Sequence, residues 1–132
     1  MRILIAADHE VVREGLKQIV HKINPFSDID EAASGTDTLS LLEKNVYDLA
    51  IMDISMPGKS GLDVLQTLKD RNRKVPVLIL SIHAEEQYAV RALKSGASGY
   101  LSKSSVYREL ATAIDTILSG GRYISPSLAA HL

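Results

Sequence analysis

The sequence predicts an α/β protein built on a doubly wound, five-stranded parallel sheet in the strand order 2-1-3-4-5. Five short apolar runs alternate with five segments whose apolar residues recur at helical spacing. The runs are nearly continuous in apolar residues, which is typical of parallel strands that helices cover on both faces. This strand order places a ligand-binding crevice between strands 1 and 3, at the carboxyl ends of the strands.

The first half of the chain holds three strands and two helices. Residues 3–7 form an apolar run, residues 27–34 indicate a weaker strand nearer an edge, and residues 48–53 form the third strand. The first helix ends at Asn24-Pro25, because proline cannot continue a helix. The apolar residues that mark the helices are Val12, Leu16, Ile19, Val20 and Ile23 in the first, and Leu39, Leu42 and Val46 in the second.

The second half holds the remaining two strands and three helices. Strand 4 is the most apolar, and Pro76 lies at its start, where a missing N–H is tolerated. Glycines end the last two helices, since glycine adopts the left-handed conformation that often follows a helix. The segments are the turn 57–61, helix 3 with Leu62, Leu65 and Leu68, strand 4 at 75–81, helix 4 at about 85–95, strand 5 at 98–103, and helix 5 with Val106, Leu110, Ile114, Ile117 and Leu118.

Composition narrows the class of function. The 132 residues suit one domain with a full core, and 45% apolar and 23% charged residues are ordinary for a globular protein. A net charge of −1 gives no support for nucleic-acid binding through a broad basic face. No apolar run approaches the roughly 20 residues of a membrane span, no secretory signal is evident, and cysteine is absent. A cytoplasmic location without a membrane partner is compatible with these features.

Polar residues stand at the ends of four predicted strands, and they are Asp8, Asp53, Ser81 and Lys103. The carboxyl ends of parallel strands meet at one edge of a sheet, so these side chains should converge. Taken singly, Asp8 could cap a helix, Ser81 could satisfy a turn and Lys103 could be a solvated charge. Asp53 caps nothing evident, because the next helix starts some eight residues later. Independent caps would have no reason to include a lysine, so the group indicates a site.

The chemistry of this group points to phosphoryl transfer. Carboxylate oxygens favour a hard divalent ion such as Mg²⁺. A lysine and a hydroxyl donate hydrogen bonds to phosphoryl oxygens. An aspartate can act as the nucleophile that takes a phosphoryl group as an acyl phosphate. The residues therefore predict phosphoryl transfer onto a carboxylate.

The sequence resembles a response-regulator receiver domain over residues 2–120. The resemblance rests on an acid after strand 1, "DISMPGKSG" after strand 3, "LS" closing strand 4 and "GASGYLSK" around strand 5. It implies the flavodoxin-like (CheY-like) receiver fold and a regulatory phosphoacceptor in a two-component system. Such a protein is not an enzyme, although it takes part in its own phosphorylation and dephosphorylation.

The resemblance assigns the phosphoacceptor and its metal. Asp53 would take the phosphoryl group from the phosphohistidine of a sensor histidine kinase. Asp8, Asp53 and the backbone carbonyl of Ser55 would bind Mg²⁺ (or Mn²⁺). Ser55 and His83 occupy positions that tune dephosphorylation in this family, although His83 could equally be a plain loop residue.

The resemblance also assigns the residues that respond to phosphorylation. Lys103, the Ser81 hydroxyl and the backbone amide of Ile82 would bind the phosphoryl group. Tyr100 would be the aromatic switch that follows Ser81, although it could also be a half-buried strand aromatic. The face made by helix 4, strand 5 and helix 5 would then change, and a partner or a second copy would read it.

The subclass that the sequence resembles is NarL/FixJ, whose members carry a LuxR-type DNA-binding output domain. The segments "DHEVVREGL", "GASGYLSK" and "GGRYISPSLA" carry this likeness, and Ser104 follows Lys103 where other receivers have proline. Residues 1–120 are expected to form the receiver, and residues 121–132 the start of a linker toward an output domain absent from this chain. Homodimerisation on activation, and DNA contact only through that output domain, are implied. A natural stand-alone receiver is the alternative.

One position departs from the family. Receivers usually carry two adjacent acids after strand 1, whereas this chain has Ala7-Asp8. Loss of an outer metal partner costs roughly 10–100-fold in affinity or activity, so weakened Mg²⁺ binding is expected. Glu10 lies close by and could substitute in part.

Three other classes of function remain to be weighed. A phosphorylation-independent dimerisation or docking module would have little use for the set of Asp53, Ser81 and Lys103. A haloacid-dehalogenase-like phosphatase would need a second aspartate where Ser55 stands. A flavin-binding module would need a phosphate loop after strand 1, where the chain reads "DHEVVRE".

Overall fold

The computed structural model describes residues 1–81 and 86–129, and shows a parallel sheet between two layers of helices. The strands are β1 Arg2–Ala6, β2 Asp28–Ala32, β3 Leu49–Asp53, β4 Val77–Ser81, β5 Gly99–Ser102 and β6 Tyr123–Ile124. The helices are α1 Glu10–Ile23, α2 Gly35–Lys44, α3 Gly61–Asp70, α4 Glu86–Lys94, α5 Val106–Leu118 and α6 Pro126–Ala129.

The strand order β2-β1-β3-β4-β5-β6 confirms the predicted order for the first five strands. The expected count of five is wrong by one short strand, because β6 pairs in parallel with β5. The backbone N–H of Tyr123 donates to Ser98 at 2.9 Å, and its hydroxyl donates to Glu109 at 2.6 Å. Burial and this acceptor raise the pKa of Tyr123 to about 12. The sheet therefore extends into the segment that was expected to begin a linker.

Side chains that alternate between the two faces of each strand form a hydrophobic core on either side of the sheet. Leu4, Met52 and Ile79 belong to the cluster packed under α2, α3 and α4. Ile5 and Ile51 face the opposite side, where α1 and α5 cover them. Successive strand side chains point to opposite faces, so a run without polar residues supplies both layers. The run "LAIMD" is buried at every position, including its final aspartate.

The main error in the predicted elements is at the end of α2. Val46 was expected to mark the inner face of that helix, but the helix ends at Lys44 and Val46 is 84% exposed. Asn45 has an extended backbone with φ of −132°, which turns the chain toward β3. The last apolar markers of α1 and α5, Ile23 and Leu118, are also partly exposed, because the final turn of each helix extends past the sheet.

Candidate functional site

The site lies at the carboxyl ends of β1, β3, β4 and β5. Asp53 is the last residue of β3 and is in register with Leu80 of β4. Ser81, the last residue of β4, is in register with Ser102. The backbone N–H of Lys103 donates to the carbonyl of Ser81 at 2.7 Å. This bond holds the backbone of Lys103 beside the end of β4. Strand register therefore brings the acid, the hydroxyl residue and the lysine together.

Asp53 is buried between a cation and an amide. Only 4% of the residue is exposed. Lys103 Nζ lies 2.5 Å from Oδ2, and the backbone N–H of Ser55 donates to Oδ1 at 3.2 Å. A buried carboxylate is costly unless it is paired and hydrogen-bonded, and both conditions are met. The interpretation of Lys103 as a merely solvated charge is therefore wrong.

The loop after β3 is held against the strand end. The N–H of Ile54 donates to Leu80 at 2.9 Å, and the N–H of Gly61 returns to the carbonyl of Ile54 at 2.9 Å. A Cβ on Gly61 would lie 2.7 Å from the backbone oxygen of Asp53, closer than real Cβ contacts allow. Ser60 and Asp63 form a capping box that begins α3 directly after this contact. Glycine at position 61 is therefore needed for the close approach of α3 to Asp53.

Asp8 faces a cleft at this edge of the sheet and does not cap α1. The helix N-cap is His9, and it makes no side-chain capping bond. Asp8 lines a cleft of about 760 Å³ together with Ser55 and Ser81. Its carboxylate Oδ1 lies 3.8 Å from His9 Nδ1. The capping alternative for Asp8 is therefore wrong, and its carboxylate opens onto the cleft beside Asp53.

The donor set of this cleft suits a magnesium ion with few protein ligands. Carboxylates of Asp8 and Asp53 and the backbone carbonyl of Ser55 are hard oxygen donors. Within residues 1–81 and 86–129, no cluster of three or more His, Cys, Asp or Glu side chains is placed to hold a metal. Mg²⁺ commonly keeps several waters and uses one or two carboxylates together with substrate phosphate. The residues present fit such an ion, with one carboxylate fewer than the family usually supplies.

Ala7 is buried, with 1% of the residue exposed, and its backbone is fully engaged. Its N–H donates to Ala32 at 3.0 Å, and its carbonyl oxygen accepts from Arg13 Nη1 at 2.7 Å. Arg13 also donates to Glu31 at 3.0 Å. Glu10 is exposed at the start of α1. The missing acid therefore leaves a methyl group in a packed position whose backbone an arginine stabilises.

Glu31 anchors a small ion network beside Ala7. Partial burial alone would raise the pKa of this carboxyl, but hydrogen bonds from Lys17 and Arg13 hold the pKa below its ordinary value. The pKa of Lys17 is raised by its hydrogen bonds to Glu14 and Glu31. Sequence reasoning missed Arg13 as a neighbour of the site, because only the fold places that face of α1 over the end of β1.

The two switch residues predicted on β4 and β5 are fully buried. Ser81 and Tyr100 each have 0% exposure. Tyr100 is in register with Ile79 and belongs to the core under α3 and α4. Its interpretation as a half-buried strand aromatic is therefore wrong. Ile82 and His83 lie outside the described residues.

α4 supplies two further residues to the cleft that sequence reasoning did not select. Tyr88 and Arg91 line it together with Asp8 and Asp63. Their spacing of three places them on one helix face, which was the available signal. Arg91 brings a cation to a cleft whose rim otherwise carries the two carboxylates.

Comparison with known proteins assigns the family. The chain matches the response regulator receiver domain over residues 3–115. The chain belongs to this family. Receiver domains of response regulators are regulatory modules of two-component systems, and the predicted fold and family are confirmed.

The relatives refine the class of this receiver. It is 33% identical over all 132 residues to the response regulator UvrY of Escherichia coli strain K12, and covers 61% of that protein. It is 37% identical over the same length to the transcriptional regulatory protein DegU of Brevibacillus brevis, and covers 56% of it. The chain thus spans less than two thirds of the length of these relatives.

A solved structure supports the same assignment. The crystal structure of a LuxR-family two-component response regulator from Aurantimonas sp. SI85-9A1 matches with a TM-score of 0.90 and 33% identity. The match covers 98% of this receiver and 92% of that chain. The receiver therefore belongs to the LuxR-type NarL/FixJ class of response regulators. In the part of the receiver that the structure describes, no helix is long and apolar enough to cross a membrane.

Proposed function

We propose that Asp53 accepts a phosphoryl group from the phosphohistidine of a sensor histidine kinase in the cytoplasm. The observation that carries this proposal is the Lys103 Nζ contact to Asp53 Oδ2 at 2.5 Å. It lies beside a cleft that Ile54 and Ser55, which follow Asp53 in the chain, line together with Asp8. A buried acid that serves only stability does not need an open cleft with further carboxylate and hydroxyl groups. A phosphoacceptor needs both the cation and the access.

Phosphoryl transfer then uses groups that are already in place. A carboxylate oxygen of Asp53 attacks phosphorus, the phosphorus–nitrogen bond breaks, and its electron pair stays on the kinase histidine nitrogen. Lys103 moves from the carboxylate to an oxygen of the transferred group and neutralises its charge. The Ser55 amide holds the other carboxylate oxygen, so the acyl phosphate starts from a fixed orientation.

Asp8, Asp53 and the Ser55 carbonyl would hold Mg²⁺ (or Mn²⁺). The ion would supply Lewis-acid stabilisation of the charge that develops on the transferred group. Without a carboxylate at position 7, these residues hold it less tightly than a receiver with two adjacent acids. Ser55, which lies at the mouth of the cleft, and His83 would tune the rate of hydrolysis.

Phosphorylation would shift a population of two conformations. The phosphoryl group adds about −1.5 to −2 charge at neutral pH. The Ser81 hydroxyl and the Ile82 amide would turn toward that charge, and Tyr100 would follow into the space that Ser81 leaves. The face formed by α4, β5 and α5 would then change and favour a homodimer.

The output of this receiver is proposed from its relatives. DegU is named a transcriptional regulatory protein, and the receiver covers 56% of it. We infer that residues 1–120 are the switch of a longer regulator, and that the segment from residue 121 leads, after pairing as β6, toward a DNA-binding output domain. The chain itself would make no direct DNA contact and would act as a regulator, not as a turnover enzyme.

Acetyl phosphate and Mg²⁺ test the phosphoacceptor directly. Intact mass after incubation should show one phosphate adduct on the wild type and none on Asp53→Asn. Asp63→Asn is the matched control, because Asp63 lines the same cleft but caps α3, and this variant should keep the adduct. An adduct on Asp53→Asn, or none on wild type at saturating Mg²⁺, would refute the proposal; unchanged dimerisation in the latter case would favour a phosphorylation-independent module.

A further inference from the structure

A second cavity lies at the opposite edge of the sheet from Asp53. It is enclosed by the carboxyl-terminal ends of α3 and α4 and the amino-terminal end of β4, with a volume of about 590 Å³. That volume is within the roughly 300–1,000 Å³ typical of binding pockets. Five cations line it and define what we call the basic cavity: Lys69, Arg73, Lys74, Lys94 and Arg122.

The charge of the basic cavity is one-sided. The chain carries 15 Lys and Arg residues against 16 Asp and Glu residues. Five of those cations line this cavity, and among residues 1–81 and 86–129 no acidic residue lines it. The nearby carboxylate of Asp70 is engaged elsewhere, because it accepts from Gln66 at 2.9 Å. The electrostatic potential in the basic cavity is therefore positive, although the chain as a whole is nearly neutral.

Two of the five cations donate hydrogen bonds to carbonyls at the ends of helices. Lys69 Nζ donates to the carbonyl of Lys94 at the end of α4 at 3.3 Å, and Arg73 donates to the carbonyl of Leu42 at the end of α2. Across residues 1–81 and 86–129, none of the five pairs with a carboxylate, and the side chains of Lys74, Lys94 and Arg122 make no hydrogen bond. Lys94 lies in the last turn of α4, where its charge favours the helix dipole, but its ammonium group stays unpaired within the described fold, as do the charged groups of Lys74 and Arg122.

The floor of the cavity is aliphatic. Leu65 and Leu68 are buried there, and Val75 and Leu93 are partly exposed at its sides. No aromatic side chain from the described part of the chain lines the cavity, so these residues offer no stacking surface of the kind on which proteins commonly hold single-stranded bases. An occupant must combine aliphatic groups for the floor with negative charges for the rim. An acidic peptide has both.

We propose that the basic cavity is a docking surface for an acidic, leucine-containing segment of a partner protein. Aliphatic side chains of the segment pack on Leu65 and Leu68, and its carboxylates pair with Lys74, Lys94 and Arg122. The surface is at the far edge of the sheet from the phosphoacceptor. The substitution Asp53→Asn leaves this surface intact, so the variant should bind the segment as the unphosphorylated wild type does.

Fluorescence anisotropy of a short labelled peptide of alternating Glu and Leu tests this surface. The triple variant Lys74→Gln, Lys94→Gln, Arg122→Gln removes the three cations that have no internal hydrogen bond. The matched control Lys22→Gln, Lys44→Gln, Arg108→Gln removes the same charge from exposed positions outside the cavity. The cavity variant should bind about tenfold more weakly or worse, and the control should bind nearly as the wild type does.

Specificity for a peptide is tested in the same assay. A peptide with Gln in place of Glu should bind weakly, and added salt should reduce binding of the acidic peptide to the wild type. Equal losses in the two triple variants, or no loss in either, would overturn the proposal. Cavity-dependent binding of a labelled DNA duplex without binding of the acidic peptide would also overturn it and identify a nucleic-acid surface. Circular dichroism of both variants checks that each is folded.

Discussion

Ala7 is the position at which this receiver departs from the pair of acids that follows strand 1 in its family. The residue is buried, its N–H belongs to the pairing with β2, and its carbonyl accepts from Arg13. None of these contacts needs a carboxylate. The backbone after β1 is therefore held by bonds that do not involve the side chain of residue 7, and in the proposed metal site that side chain would change only the support for the ion.

The substitution Ala7→Asp tests this account at the residue scale. An added carboxylate beside Asp8 should raise Mg²⁺ affinity by roughly 10–100-fold, because it restores a hydrogen-bonding partner for bound water. Isothermal titration with MgCl₂ measures the change. Ala7→Asn is the matched control for size, and it should gain much less because its amide carries no charge. Unchanged affinity in Ala7→Asp would show that position 7 does not limit the ion.

At the scale of elements, the connection from β3 to α3 is set by one close contact. α3 starts at Gly61, whose missing side chain lets the helix approach the backbone oxygen of Asp53. The capping box of Ser60 and Asp63 then fixes where the helix begins. Asp53 thus lies between a strand and a helix whose relative position depends on a glycine.

Gly61→Ala should therefore disturb both stability and chemistry. Its Cβ would be 2.7 Å from backbone, which cannot yield as a flexible side chain can, so we expect about 1–3 kcal/mol of destabilisation. Urea unfolding gives the free energy of unfolding, and the acetyl phosphate assay should show slower adduct formation.

Gly15→Ala is the control for this prediction. It lies within α1, and its Cβ would meet only the hydroxyl of Tyr107, at 3.1 Å, at the far end of an exposed side chain. Alanine favours a helix by roughly 0.5–1 kcal/mol, so this variant should be neutral or more stable. Equal stability of the two variants would contradict the proposed role of Gly61.

At the scale of the whole molecule, the sheet separates two surfaces. The cleft lined by Asp8 and Ser55 lies at the carboxyl edge beside Asp53, and the basic cavity lies at the amino edge. The side chain of Tyr100 in β5 belongs to the core that α4 covers, so in the proposed switch it would carry a change at the carboxyl edge to the face of α4, β5 and α5. Phosphorylation and partner docking would then be separate inputs to one domain.

Sedimentation velocity tests whether phosphorylation reaches that face. Acetyl phosphate with Mg²⁺ should shift the wild type from monomer toward dimer, because the added charge favours the conformation that exposes the dimer face. Asp53→Asn should stay at its starting distribution under the same conditions. A phosphorylated wild type that does not change its association state would contradict switching through homodimerisation.

Much of the fold was predictable because it follows from local patterns. Apolar runs and helical spacing predicted ten of the elements, and the strand order followed from general rules for parallel sheets. β6 was not predicted because two residues are too few to show an alternating apolar pattern. They form a strand only through their pairing with β5. The prediction that Val46 marks the second helix was wrong, because an apolar residue at helical spacing can lie beyond the end of the helix.

The sequence by itself determined the family, the sheet order and the identity of the polar residues that end the strands. These features depend on residue type and on spacing along the chain, so the sequence alone is enough to predict them. Only the tertiary structure decided that Lys103 contacts Asp53, that Asp8 faces the cleft instead of capping a helix, and that Arg13 holds Ala7. The basic cavity belongs to the same group, since its cations come from the end of α3, the end of α4 and residue 122, which only packing brings together.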